Sequence, residues 1–174
     1  SQGQGDRFDR WIEFFSASVL ALATVLTAWC GYQATLWGGT QTETANEAAA
    51  ALISASQMAT ASMLRSSVQV GLFVEYASAV AQEETELAEF LYKRFPSELR
   101  VATDAWLATN PLSDPDAPLA PFDMEEYQLP ETAEAQRLEA LAAQKSEESS
   151  QANERSDEYV LLTVIFATVL FFGG

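Results

Sequence analysis

The sequence predicts an all-α protein: a membrane-anchored antiparallel helical hairpin with two transmembrane helices, a long extramembrane helical stalk and a small head. Three observations carry that prediction. A run of 29 residues between Glu13 and Glu43 carries no charge, and a second uncharged run starts at Tyr159. Between them lies an acidic stretch of helix formers with its prolines gathered in one place. The 174 residues suffice for one domain of ordinary size, and six prolines and eight glycines leave room for long helices.

The first element is a polar tail, residues 1–13, and the second a span, residues 14–37. That span would be ~36 Å of helix at 1.5 Å per residue, enough to cross a bilayer. Aromatic residues gather toward its ends: Trp11, Phe14 and Phe15 on one side, Trp29, Tyr32 and Trp37 toward the other. Trp11, Trp29 and Trp37, with Tyr159 at the second run, are the expected interface anchors. A secretory signal would need a basic start and a small-x-small cleavage site, whereas this segment opens with Asp6, Asp9 and Glu13. A lipoprotein signal fails because Trp29 precedes Cys30. Within the span, Ala17, Ala21, Thr24, Ala28, Gly31 and Thr35 recur at 4-3-4-3-4 spacing and share one face. Small residues let backbones approach closely where lipid supplies no hydrophobic drive, so this face is the expected transmembrane packing face.

The middle, residues 38–158, carries seven bases against 22 acids. Gly38-Gly39 reads as a break between span and stalk. Stepping 4-3 from Ala45 gives Ala49, Leu52, Ser56, Ala59, Met63, Ser66, Val70, Phe73, Ala77, Val80, Glu84, Leu87 and Leu91. Eleven of these 14 positions are apolar, which predicts a heptad-like helix running to Phe95 and stopped by Pro96. A returning row, Ala135, Leu138, Ala142, Ser149, Ala152 and Ser156, has the same small character. Both small stretches end at membrane runs, so residues 40–66 and 131–158 should pack antiparallel as the stalk. Residues 67–130 then form the head, with its bulky residues from Leu72 to Tyr127. Ser97 is the expected N-cap of a short helix ended by Asn110-Pro111. Five prolines in the 21 residues from Asn110 to Pro130 predict an extended arm wrapped on the head. Pro111, Pro115, Pro118, Pro121, Phe122 and Tyr127 of this arm are the candidate partner contacts, because an ordered loop of that length is usually functional.

The second span, residues 159–174, has 16 uncharged residues and no closing polar flank, so the expectation is a truncated helix of a longer chain. Arg7 and Arg10 precede the first span while no base follows it until Arg65. The positive-inside rule therefore predicts an N-terminus in the cytoplasm and an extracytoplasmic middle.

Chemistry is sparse. Histidine is absent, which removes the commonest general base and metal ligand, and the single Cys30 excludes an internal disulfide. A net charge of -16 excludes nucleic acid as a partner. Glu83, Glu84, Glu86 and Glu89 crowd one helical stretch, but a diiron site needs Glu-x-x-His pairs and calcium needs a DxDxDG-like loop. They read as a solvated face. No nucleophile elbow and no glycine-rich phosphate loop is present. No catalytic residue, metal or cofactor is expected.

Three stretches, AWCGYQATLWGG at 28–39, DAWLATNPLSDPDAPLAPF at 104–122 and ANERSDEYVLLTVIFATVLFF at 152–172, resemble a family of uncharacterised bacterial multi-span membrane proteins. The resemblance covers nearly the whole chain, implies a bacterial inner-membrane location, and implies a further hydrophobic segment after the second span. It carries no activity to any residue here. Two functional expectations follow. One is a non-catalytic accessory subunit that braces a larger membrane complex, with the membrane and other integral membrane subunits, or a copy of itself, as partners. The alternative is an extracytoplasmic sensor-type ligand-binding module, an analogy with the periplasmic bundles of receptors that rests on overall plan alone.

Overall fold

The computed structural model describes residues 2–111 and 113–173, with side chains from residue 10 onward; Ser1 and Gly174, the expected limits of the tail and the second span, lie outside them. The chain order is α1 (Gln2–Ala81), α2 (Thr85–Tyr92), α3 (Ser97–Ala108), a 3-10 turn at Pro121–Asp123, and α4 (Pro130–Gly173). Among the described residues there is no strand. The fold is all-α, and its two long helices pack against each other as a hairpin. Both are long and apolar enough to cross a membrane. Most residues of both apolar stretches are exposed or half-buried.

Several elements differ from expectation. The tail is helical from Gln2, and α1 continues through Gly38-Gly39 without a break. A glycine pair costs helix propensity, but packing along a whole helical face outweighs it. Gly38 itself faces Ser156 of α4, where an added Cβ would stand 3.8 Å from the hydroxyl. The long helix ends at Ala81 and not at Pro96. Glu83 takes φ 62°, and the amides of Glu83 and Glu84 donate to the carbonyls of Val80 and Ala79. This is the paired closure that glycine usually provides at a helix C-terminus. With glutamate in the left-handed position, no glycine marked the corner in the sequence. Ser97 is not a cap: Pro96 is the N-cap of α3, and the Ser97 hydroxyl donates to Glu98.

The chain forms two compact units, one of Ser1–Ala50 with Ala142–Gly174 and one of Ala51–Leu141. These boundaries fall at neither the expected membrane edges nor the expected end of the stalk at residue 66, because α2, α3 and the arm fold together with the α1 residues from Ala51 onward. In the first unit α4 runs antiparallel to α1. Lys145 Nζ pairs with Glu47 at 2.9 Å, the Ser149 hydroxyl donates to the Gln41 carbonyl at 3.0 Å, and the Ser156 hydroxyl donates to the Ala34 carbonyl at 3.0 Å. Ala23, Cys30, Thr44 and Ala152 are buried along the seam. Threonines of the apolar run bond back to the carbonyl four residues earlier, as Thr24 to Leu20, Thr27 to Ala23 and Thr35 to Gly31. Each hydroxyl is thus satisfied inside its own helix, as an apolar surrounding requires.

In the second unit, Ser62 meets Thr132 at 2.7 Å, and Ala51, Ala55 and Gln69 of α1 are buried with Ala135 of α4. The core of the head is Phe73, Phe95 and Leu99, with Leu72, Tyr76, Tyr92, Trp106 and Phe122 packed around it. Rings meet edge to face: Phe73 with Trp106 at 5.4 Å, Phe73 with Phe122 at 5.7 Å, and Phe122 with Tyr127 at 5.0 Å. That geometry aligns the positive ring edge with the negative face and adds to burial.

The heptad period of α1 is right and its phase is off by one residue. The buried and half-buried row is Thr44, Ala48, Ala51, Ala55, Met58, Ser62, Gln69, Phe73, Tyr76 and Ala79; Phe73 alone of these is also in the predicted row. Ala45, Ala49, Leu52, Ala59, Met63 and Val70 of the predicted row are exposed. The reason is steric: the contact with α4 is close, so it takes alanines and hydroxyls, leaving Leu52 exposed and Met63 at the edge of a groove beside α4. On α4 the predicted row is the observed one. Ala135, Ala142 and Ala152 are buried, and Leu138, Ser149 and Ser156 are half-buried.

Candidate functional site

Chemistry concentrates at one place in the second unit, around Arg65. It is the single charge between Glu47 and Glu75. Its guanidinium reaches Glu98 at 2.5 Å and Glu131 at 2.7 Å, so one α1 residue ties α3 and the first turn of α4 to the same point. Gln69, 1% exposed, donates to the same Glu98 oxygen at 2.9 Å, and Ser97 donates to the other. Burial pushes the Glu98 carboxyl up, but its own backbone amide, Ser97, Gln69 and Arg65 together hold it below the usual carboxylate range. Glu131 is also held low, by its own backbone amide in the first turn of α4 and then by Arg65. Donors reach both oxygens of Glu98 and one oxygen of Glu131, whose Oε2 is buried without a hydrogen-bond partner. Carboxylates held ionised in this way form a structural clasp and are poor proton donors near neutrality. Among the described residues no three histidine, cysteine or carboxylate groups gather as a metal cage.

The proline-rich segment is an ordered arm on the head. Asn110, at φ 53°, ends α3 by entering the left-handed region that asparagine tolerates. The Trp106 indole donates to the Pro118 carbonyl at 2.7 Å and pins the arm to α3. Of the expected contacts, Pro121 is fully buried, Phe122 and Tyr127 are half-buried in the aromatic packing of the head, and Pro111 and Pro118 are half-buried. Pro121, Phe122 and Tyr127 thus anchor the arm to the head. Pro115 is exposed, and the most outward apolar side chain of the arm is Leu119, 94% exposed. Under the arm, Phe73, Tyr76, Val80, Trp106, Leu107 and Pro111 line an apolar groove of about 430 Å³.

In the first unit the face of α1 toward α4 is not the small one. Leu20, Ala23, Leu26, Thr27, Cys30, Ala34 and Trp37 are the residues wholly or partly covered, whereas Ala17, Ala21, Thr24, Ala28 and Thr35 are exposed and only Gly31 is half-buried. The expected packing face is therefore left open by this chain's own hairpin. Trp11 and Trp29 point outward, Trp29 stacking with Tyr32 at 6.2 Å between ring centres. Trp37 lies under the Arg155 guanidinium at 4.6 Å, which fixes the polar turn of α4 just before Tyr159 against the end of the apolar run. Tyr159 is half-buried.

Sequence reasoning missed the clasp of Arg65, Gln69, Glu98 and Glu131. The available signal was the isolation of Arg65: a lone charge in 27 otherwise uncharged residues, 48–74, has to find partners elsewhere. No family model matches this chain, and no curated protein and no solved structure matches it in the comparisons made.

Proposed function

We propose that this protein is a non-catalytic, membrane-anchored helical subunit that packs against a larger integral membrane complex and stabilises it. In this reading the apolar runs of α1 and α4 span a bacterial inner membrane and the acidic middle stands outside the cytoplasm. The observation that carries it is the unused face of α1. Ala17, Ala21, Thr24, Ala28 and Thr35 form a row of small residues, α4 covers the opposite side, and small faces serve close helix contact in lipid. The ion pairs of the clasp fit a bracing role, since one guanidinium on α1 fixes α3 and the start of α4 to the same point.

The test is purification in mild detergent from native membranes, comparing the unaltered chain with the double substitution Ala21→Leu and Ala28→Leu. The expected result is a companion protein at fixed ratio that the substituted chain loses. A companion retained in full by the substituted chain counts against the reading.

The apolar groove under the arm supports the second reading, a sensor module, because its volume falls in the range of small-molecule sites. Replacing Leu107 at its rim with tryptophan should then abolish ligand-induced thermal stabilisation while the companion protein stays bound. Loss of the companion would return the groove to a purely structural role.

A further inference from the structure

An exposed face of α1 in the second unit, bordered at Met63 by a groove shared with Thr132, Gln136 and Glu139 of α4, is uncharged and apolar in a place where the neighbouring helix is wet. Ile53, Ser56, Thr60, Met63, Ser67, Val70 and Val74 follow one another at 3-4-3-4-3-4 spacing, and all are exposed, Met63 by 74%. Leu52, Ala59 and Leu64 flank them and are exposed as well. The α4 segment packed beside this stretch carries Glu131, Glu134, Arg137 and Glu139, so lipid is not what covers the row. Arg65, the only charge on α1 between Glu47 and Glu75, is turned to Glu98 and Glu131.

We infer that this row is the seam of a parallel homodimer, occupied by the same row of a second copy. Three arguments select that occupant. First, area: Leu52, Ile53, Met63, Leu64, Val70 and Val74 leave on the order of 600 Å² open per copy, the lower edge of a specific interface before the serines, threonine and alanine among them are counted. Second, charge: each chain carries -16, and copies so charged can approach closely only along a face without charge. Heteromeric helix pairs are selected by charges flanking the seam, and this seam has none to exclude itself. Third, orientation: two copies anchored in one membrane stand parallel, so each residue of the row meets its own counterpart under two-fold symmetry. Met63 then faces Met63 and Val70 faces Val70, while Ser56, Thr60 and Ser67 pair hydroxyl to hydroxyl. The third argument rests on the membrane-anchored reading above. The inference leaves the small row of the first unit free for the companion complex.

The experiment uses the full chain in mild detergent, with Cys30→Ala as background. Met63→Cys and Val70→Cys probe the seam, and Ala140→Cys, exposed on α4 and outside the groove that Met63 borders, is the control. Oxidation should give disulfide-linked dimers at 63 and 70 and none at 140, with a doubled protein mass by light scattering. Met63→Lys with Val70→Lys should raise the dimer dissociation constant at least ~100-fold while helicity by circular dichroism is unchanged. A single protein mass without cross-links at 63 and 70 overturns the inference, and so does a cross-link in native membranes from 63 to a different polypeptide. Monomers that still retain the companion protein defeat only the dimer; dimers without a companion defeat only the accessory-subunit reading.

Discussion

From Pro130 to Glu158, α4 carries eleven charged residues and keeps one row, Ala135, Leu138, Ala142, Ser149, Ala152 and Ser156, clear of carboxylates. From Ala48 to Val74, α1 carries one charge and is apolar or hydroxylated all round. The two helices are partners in one hairpin, yet they are built on opposite principles. A helix with a single uncharged row can present only that row to a neighbour, because every rotation about its axis would desolvate carboxylates. A helix without charges has no such penalty, so its phase is set by which side chains let the partner come near. Ala51 and Ala55 won over Leu52 and Met63 on that criterion. The bulkier row was not lost in the process; it became a second face.

The largest expected effect comes from blocking the close contact. Ala55→Phe places a ring where the side chain is 1% exposed, and overpacking of this kind costs about 1–3 kcal/mol, a fall of several degrees in Tm by thermal circular dichroism. Ala59→Phe, one turn on along the same helix but exposed, should leave Tm within a degree or so. Equal losses from both substitutions would erase the distinction between the two faces.

Acid should act next. Glu98 and Glu131 are both held below the ordinary carboxylate range, so the stability they supply is present above that range and lost as pH falls through their lowered values. Thermal melts should be flat from neutrality to about pH 5 and then drop toward pH 3. Glu98→Gln should flatten part of that drop. A profile unchanged by this substitution would remove Glu98 from the clasp. The smallest effect is expected at the α1–α2 corner, where Glu83→Gly relieves a left-handed glutamate and should raise Tm slightly, by about 0.5–1 kcal/mol of stability.

The comparison also explains what the sequence let one read. The period of both long helices, the two apolar runs, the aromatic head and the ordered arm were legible because each rests on a pattern within one segment: charge-free length, 4-3 spacing, clustered rings, clustered prolines. The row of α4 was legible in full because charge fixes its phase. The phase of α1 was not, since Leu52, Met63 and Val70 satisfy the same spacing as Ala51, Ser62 and Gln69. The corner at Glu83 was hidden because the residue there is not one that usually adopts positive φ. The clasp was hidden for another reason: Arg65, Glu98 and Glu131 are separated by tens of residues, and only the folded chain brings both carboxylates within 3 Å of the guanidinium.

Cys30 lies in the seam of the first unit, 3% exposed, and it is the chain's one thiol. While α1 and α4 stay together, a maleimide reagent has no path to the sulfur. When they part, the thiol is uncovered to a maleimide that partitions into the membrane. The rate of labelling therefore counts openings of the hairpin, with no probe to be engineered in. Binding of a companion that stiffens the pair should slow that clock, and one that pries it apart should speed it.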